Sequence, residues 1–304
     1  MHTSVLILGA GPAGLTASVY AARAGLNPVV LAGNAQGGQL LLTHEIENFP
    51  GFLKISGFDL VDKLAEQSKN AGAKILSVSA KQVDLKQYPF VVLGDDNETY
   101  TADALIIATG ASARWLNLTG ESKFKGHGIS ICAVCDGFFY KNKTVMVIGG
   151  GNSAVYEALY LSKMVKKVIL VHRQKELKAE RQLMEQLNKT PEIEVLHETY
   201  VREFKGENKL SSVVIEQNGQ THELLVDGVF EAIGQIPNTE IFKDQLPMDE
   251  NGFLITDKHT MATCVAGVYA CGDVQESKHR QAIVAASGGC LAALNVESFL
   301  LDKK

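Results

Sequence analysis

Cys132 and Cys135 stand three positions apart, with Asp136 directly behind the second, in the run Ile131-Cys132-Ala133-Val134-Cys135-Asp136-Gly137. Two thiols this close are redox-active or metal-binding. A structural zinc wants four ligands, and the chain has no second C-x-x-C and no H-x-x-x-H. No metal is expected. Redox work suits the pair, because a disulfide takes two electrons and a thiolate attacks another disulfide directly. Asp136 is placed to move the proton that accompanies thiol chemistry, its plainer reading being a turn carboxylate. Near-identical glycine turns flank the run, and the cysteines are read as shuttling electrons between what the two turns hold.

Gly9, Gly11 and Gly14 follow the apolar run Val5 to Leu8 in G-x-G-x-x-G spacing, with Pro12 and Ala13 inside the turn. Leu15 to Ala24 reads as an Ala-rich helix ended by Gly25, and Pro28 to Leu31 as the next strand. A strand, a glycine turn and a helix in this order bind a dinucleotide. The glycines admit its pyrophosphate to the backbone N–H groups at the helix N-terminus. The acid expected at the end of the second strand is missing: Ala32-Gly33 stands there, with Gly37-Gly38-Gln39 beyond. The unit repeats as Thr144 to Ile148, Gly149-Gly150-Gly151-Asn152-Ser153-Ala154, a helix from Val155 to Met164 and a strand from Val168 to Val171. Gly9 to Ala32 and Gly149 to His172 both span 23 positions, so two different dinucleotides are expected. The second unit ends in His172-Arg173-Gln174, with Lys175, Lys178 and Arg181 beyond. Basic groups there suit a 2′-phosphate, as in NADP(H); a solvated basic helix start is the plainer reading.

The remaining elements are those needed to position these turns. A chain of 304 residues implies about two domains. Its formal charge of −5 gives no broad basic field for nucleic acid. No run is expected to reach the roughly 20 apolar residues that span a bilayer. Met1 to Leu8 lacks a basic leader and runs straight into the glycine turn, so it reads as a first strand and the protein as cytoplasmic. Glu45 to Gly51 is a turn cluster, and Phe58 to Ala71 an amphipathic helix stopped by Gly72. Alternation from Ala73 to Tyr100 suggests a small β-meander. Ala104 to Ala108 is a buried strand that ends in Thr109-Gly110, where backbone can meet a cofactor. Short strands are expected from Glu194 to Val229, then Phe230 to Gly234 and a return link at Gln235 to Thr239. Gly267 to Cys271 leads into Gly272-Asp273-Val274, with Asp273 placed for a cofactor hydroxyl. A helix from Ile283 to about Leu300 closes the chain. Cys264, Cys271 and Cys290 read as buried small hydrophobes.

Together these pieces resemble the low-molecular-weight thioredoxin reductases, flavoproteins of the pyridine nucleotide-disulfide oxidoreductase class. The match runs through Gly9 to Gly14, Gly37-Gly38-Gln39, Glu47-Asn48-Phe49-Pro50-Gly51 and Ala108-Thr109-Gly110. It continues through Cys132 to Gly137, Gly149 to Ala154, Gly272-Asp273-Val274 and Arg280-Gln281-Ala282. The resemblance implies an α/β fold of two Rossmann-like dinucleotide-binding domains, an NADPH domain inserted into a discontinuous FAD domain. The expected boundaries are 1–114 and 241–304 for FAD, and 115–240 for NADPH and the C-x-x-C. FAD would lie on Gly9 to Gly14, Ala32 to Gln39, Asn48, Val83, Ala108 to Gly110, Gly272 and Asp273 to Ala282. In this family the missing acid at Ala32 is ordinary. NADPH would lie on Gly149, Gly151, Asn152, Ser153, Ala154, His172, Arg173 and Lys178.

The resemblance also implies the chemistry. NADPH reduces the flavin, the flavin reduces a Cys132–Cys135 disulfide, and the dithiol reduces thioredoxin or a thioredoxin-like protein. Cys135 would face the flavin, Cys132 attack the partner, and Asp136 act as acid and base. Rotation about links near Trp115–Gly120 and Gly234–Phe242, and a homodimer, are implied as well. One departure bears on the donor. The family's His-Arg-Arg with a further Arg is here His172-Arg173-Gln174 with Lys178, which loses one guanidinium and turns another into an ammonium. NADH and ferredoxin therefore stand beside NADPH as donors. A dithiol oxidase using oxygen and a redox-sensing scaffold are the rival functions. The intact second glycine turn speaks against the oxidase.

Overall fold

The computed structural model describes residues 1–33, 36–43, 45–276 and 278–303. It falls into two compact units, Met1–Ser112 with Ile236–Lys304, and Ala113–Gln235. The first unit is therefore discontinuous, and the second is inserted into it.

The chain opens with β1 (His2–Leu8), whose Val5 to Leu8 are buried. α1 (Pro12–Arg23) starts at Pro12, where a fixed φ and an absent N–H suit the first helical position. β2 (Val29–Leu31) follows, then α2 (Gly57–Asn70), capped by the Ser56 hydroxyl, which accepts from the Asp59 amide at 3.0 Å. β3 (Lys74–Leu76), β4 (Ala80–Asp84), β5 (Phe90–Gly94) and β6 (Thr99–Ile107) come next. The expected meander holds only for β4, β5 and β6, which pair antiparallel. β3 instead lies parallel to β2 as the outer strand of the nucleotide-binding half, and β6 runs on through Ala104 to Ile107. Alternation is common to both kinds of pairing, so it could not separate them.

β7 (Ala111–Ala113) carries the chain into the inserted unit. There follow α3 (Glu121–Phe124), β8 (Ile129–Ser130), α4 (Ala133–Asp136) and β9 (Thr144–Ile148). α5 (Asn152–Ser162), β10 (Lys167–Val171), α6 (Arg181–Leu187) and β11 (Ile193–Leu196) complete its nucleotide-binding half. β12 (Thr199–Gly206), β13 (Leu210–Gln217) and β14 (Gln220–Leu225) form an antiparallel sheet. Its turn at Asn218-Gly219 has φ of 52° and 76°, the paired left-handed values of a two-residue hairpin loop. After β15 (Gly228–Glu231), β16 (Gln235–Pro237) returns the chain to β17 (Val268–Ala270) and α7 (Ala282–Asp302).

In the first unit the seven-stranded sheet runs β3-β2-β1-β6-β5-β4, with β17 also on β6. In the inserted unit five parallel strands run β11-β10-β9-β15-β8. Each large sheet is covered on both faces by apolar clusters. Parallel strands buried on both sides are why β1 and β9 read as unbroken apolar runs. Each fully buried Leu or Ile there contributes roughly 1.5–3 kcal/mol.

α7 departs from expectation. It is the one helix among the described residues long and apolar enough to cross a membrane. It packs along α1, with Ala285, Gly288, Gly289, Ala292 and Ala293 among its buried residues. A Cβ on Gly289 would collide with the Ala13 carbonyl, so the close approach depends on the absent side chain.

Two carboxyls are buried together in the inserted unit. Glu121 and Glu231 are 1% and 2% exposed. The Leu116 amide donates to both, at 3.1 and 3.2 Å, and the Leu118 amide to Glu121 at 2.9 Å. Glu231 Oε1 is buried and has no hydrogen-bond partner among the described residues. Burial first, and the Glu121 charge second, push Glu231 up to about 8; the Leu116 amide and Lys125 oppose this. The native state thus holds a proton that the unfolded chain gives up near 4.5. This contribution to stability is fully present below the unfolded value and is lost as pH rises toward about 8. Glu231→Gln keeps a donor at this place at every pH. Thermal unfolding at pH 9 should show it more stable than the parent by about 2–4 kcal/mol, with the gap closing near pH 5. A pH-independent gap would refute the raised pKa of Glu231.

Candidate functional site

Cys132 and Cys135 are joined as a disulfide. Cys132 caps the single turn of α4: its Sγ accepts from the Cys135 amide at 3.2 Å, and its carbonyl accepts from the Asp136 amide at 3.1 Å. An amide aimed at Sγ favours negative charge there once the bond is reduced. Asp136 turns back toward the strand before the disulfide. The Ser130 hydroxyl donates to its Oδ2 at 2.5 Å and accepts from the Cys132 amide at 3.1 Å. Tyr140 lies close by, and burial, then the charges of Asp136 and Asp227, push its phenol up to about 12. Val134, Phe138 and Phe139 stand exposed around this turn. Cys271 is buried, and burial pushes its thiol up to about 12. Cys290 is half-buried. Cys264 is exposed, because it sits in the bend before β17 rather than in the core, which corrects the expectation that all three are buried.

The first glycine turn is built from backbone contacts. The Gly9 amide donates to the Leu31 carbonyl at 2.8 Å, and its own φ is +107°. A Cβ on Gly9 would strike the Ala108 carbonyl, and one on Gly14 the Gly9 carbonyl. Gly272, with a φ of +74°, lies against Ala13. The ends of β1, β2, β6 and β17 therefore meet at the start of α1. Gly11, by contrast, has nothing near its Cβ direction, and neither do Gly38 and Gly110. The open space beside Gly11 lies at the N-terminus of α1, where a pyrophosphate would sit.

Other expected contacts are placed unevenly. Gln39 donates to the Ala111 carbonyl at 2.9 Å, while its buried Oε1 has no partner among the described residues. Asn48 donates to Gln281 at 3.2 Å, which brings two distant expected contacts together. Burial pushes Asp273 up to about 6, against the nearby charge of Arg280. The Ala32 and Gly33 amides are taken by the Leu76 and Val78 carbonyls. Val83 is buried within β4, and its carbonyl accepts from Gln245 at 3.0 Å. Asn34, Ala35 and Ser277, inside the expected stretches, lie outside the described residues. Asn238, expected only as part of a link, grips the end of β6: its side chain donates to the Thr109 carbonyl at 2.8 Å, and its own carbonyl accepts from the Thr109 hydroxyl at 2.8 Å. Nothing short-range signals that role, since 129 positions separate the two residues.

The second turn has the same design. Gly149 has a φ of +152°, and its Cβ would lie 2.5 Å from the Ala232 carbonyl. The His172 ring covers Gly150, so a side chain there has no room, whereas Gly151 faces open space before α5. His172 Nε2 is buried without a partner among the described residues, and burial holds the imidazole below its usual value. Asn152 clasps Glu180: its Nδ2 donates to the carboxylate at 2.9 Å, and its Oδ1 accepts from the Glu180 amide at 2.7 Å. The Lys178 amide donates to the Gly150 carbonyl at 2.6 Å, so Lys178 starts from the rim of the turn. Arg173 lines a cavity of about 260 Å³ with Glu198, Tyr200, Glu216, Asn218 and Gly219. Arg181 is paired with Glu185 at 2.8 Å. Both glycine turns thus fit a dinucleotide: each has an open approach to a helix N-terminus, and at the second the unpaired His172 Nε2 belongs to the ring that covers Gly150.

Known proteins share this arrangement over nearly the whole chain. Residues 3–289 match the family described as pyridine nucleotide-disulphide oxidoreductase. A thioredoxin reductase of Rickettsia felis is 46% identical, over 98% of this chain and 98% of its own. The solved thioredoxin reductase from Giardia duodenalis superposes with a TM-score of 0.94 at 39% identity, covering 99% of each chain. That of Streptococcus pyogenes superposes at 0.93 and 36% identity, also over 99% of each. With two Rossmann-like units, a disulfide in the inserted one and identity of this extent, the chain belongs to the pyridine nucleotide-disulphide oxidoreductases, and within them to the thioredoxin reductases.

Proposed function

We propose that this oxidoreductase draws electrons from NADPH and delivers them through FAD and the Cys132–Cys135 disulfide to oxidised thioredoxin. The observation that carries this reading is the closed disulfide, with Asp136 beside it, in a chain whose two glycine turns each open toward a helix N-terminus. FAD belongs with the discontinuous unit, where Gly11, Gln39, Asn48, Asp273 and Gln281 would hold it. NADPH belongs with Gly149 to Ala154, His172, Arg173 and Lys178. When bound, the flavin supplies two-electron passage from nicotinamide to disulfide.

The chain's own residues do the rest. Once the disulfide is reduced, the Cys135 amide favours the thiolate at Cys132. Cys132 attacks one sulfur of the partner disulfide and expels the other as a thiolate, forming a mixed disulfide. Cys135, losing its proton, attacks Cys132 Sγ, so the internal disulfide reforms and the partner leaves with two thiols. Asp136 takes and returns the proton in these steps. Exposed Val134, Phe138 and Phe139 give the partner an apolar landing beside the sulfurs. The exposed Ile283, Leu294 and Leu301 share one face of α7, which supports pairing with a second copy of the chain. A cytoplasmic home agrees with a disulfide that must cycle through its reduced form.

Titration of the purified flavoprotein with NADPH, NADH and reduced ferredoxin tests the donor. NADPH should bleach the flavin fastest, and bleaching by ferredoxin alone would defeat the reading. Gln174→Arg combined with Lys178→Arg restores bidentate donors, and should raise the NADPH-over-NADH ratio of kcat/KM by about tenfold. An unchanged ratio would place the 2′-phosphate elsewhere.

A further inference from the structure

Ser130 is the last residue of β8, 8% exposed, and pairs in the sheet with Phe230 of β15. Its side-chain hydrogen bonds go to neither sulfur. Its hydroxyl nevertheless closes a relay of two hydrogen bonds. It accepts from the Cys132 amide at 3.1 Å and donates to Asp136 Oδ2 at 2.5 Å. The relay ties the backbone of one cysteine to the carboxylate that follows the other, and it stands on a buried strand end instead of on the exposed turn.

We propose that Ser130 is a positioning residue of the redox site, one that orients the Asp136 carboxylate beside the disulfide and holds it ready to accept a proton. The proposal rests on the reading of Asp136 as the acid and base. Two features make the serine specific. Its single proton is spent on Asp136, because the other contact is one it accepts. A hydrogen bond given to a carboxylate favours the ionised form, so loss of the hydroxyl makes Asp136 a weaker acid. The titratable groups on the neighbouring elements are Tyr140, partly buried near Asp136, Asp227 near Tyr140, and Tyr160 and the buried Glu157 on α5, which packs on α4. During turnover, Asp136 accepts the proton Cys135 loses as it attacks Cys132 Sγ, and returns one to the departing partner thiolate. No further oxidant or reductant enters.

The test compares Ser130→Ala, Ser130→Thr and Asp136→Asn holoenzymes in NADPH-driven thioredoxin reduction from pH 5.5 to 9. Ser130→Ala should lower kcat about tenfold at pH 7, as expected for one hydrogen bond to a charged group, and move the acid limb of the kcat profile upward. KM for NADPH and the rate of flavin bleaching by NADPH should stay at parental values, which also shows that the variant is folded and loaded. Ser130→Thr keeps the hydroxyl and should recover most of the rate. If Asp136→Asn is slow while the Ser130→Ala profile superimposes on the parent's, the positioning role is overturned and the Asp136 reading stands. If Asp136→Asn runs at the parental rate, Asp136 moves no proton and both fall. A pH-independent loss in Ser130→Ala that threonine does not rescue also overturns the proposal.

Discussion

Cys132→Ser and Cys135→Ser each lower thioredoxin reduction by about 10³-fold or more, while NADPH still bleaches the flavin at an undiminished rate. The reason lies in the element replaced. A serine oxygen is not deprotonated near neutral pH and cannot form a sulfur–sulfur bond, so nucleophile and electron store vanish together. The chemistry upstream of the disulfide is untouched, which separates this loss from a failure to fold or to load the cofactor. The two variants also differ from each other. With Cys135→Ser, Cys132 keeps its sulfur and the amide of residue 135, and it still attacks a partner disulfide. The mixed disulfide then accumulates, because the thiol that resolves it is gone. With Cys132→Ser, no such adduct builds up. Gel electrophoresis without reductant, beside a steady-state assay, reads both results. Full turnover in either variant, or an adduct trapped only by Cys132→Ser, would reverse the assigned roles.

The second large effect separates two glycines that look equivalent in sequence. Gly14→Val should yield a colourless, destabilised protein, and Gly11→Val a colourless but stable one. At Gly14 the new Cβ would collide with the Gly9 carbonyl. That carbonyl cannot retreat freely, since Gly9 is held by its amide to Leu31 and lies against the Ala108 carbonyl. α1 must move away from β1, at a cost above the roughly 1–3 kcal/mol of ordinary overpacking. At Gly11 nothing stands within reach of a Cβ, and the backbone is extended with φ of −80°. A side chain there fits the protein and fills only the space a pyrophosphate would take. Flavin content by absorbance and Tm by calorimetry distinguish the cases. Retention of flavin in Gly11→Val would show that this space is not the pyrophosphate site.

The features legible in the chain alone were those set by short-range backbone geometry. A turn that brings a strand end against a helix start needs glycine at fixed offsets, so Gly9 to Gly14 and Gly149 to Ala154 announced both nucleotide-binding units. Strands buried on both faces must be apolar throughout, so β1, β6 and β9 were visible. Two cysteines three positions apart meet when a single helical turn separates them, and that locality exposed the redox pair. Tertiary structure decided what depends on partners far along the chain. Whether the strand at Lys74 joined the parallel sheet or the hairpin was settled by packing on β2, not by alternation. Asn238 grips Thr109, and Glu231 accepts from the same Leu116 amide as Glu121, across separations of more than a hundred residues that leave no periodic trace. Ser130 is only six positions from Asp136, yet its role waited on the fold as well. A serine hydroxyl bonds to whatever the strand end brings near, and only the turn of α4 back toward β8 brings the carboxylate there.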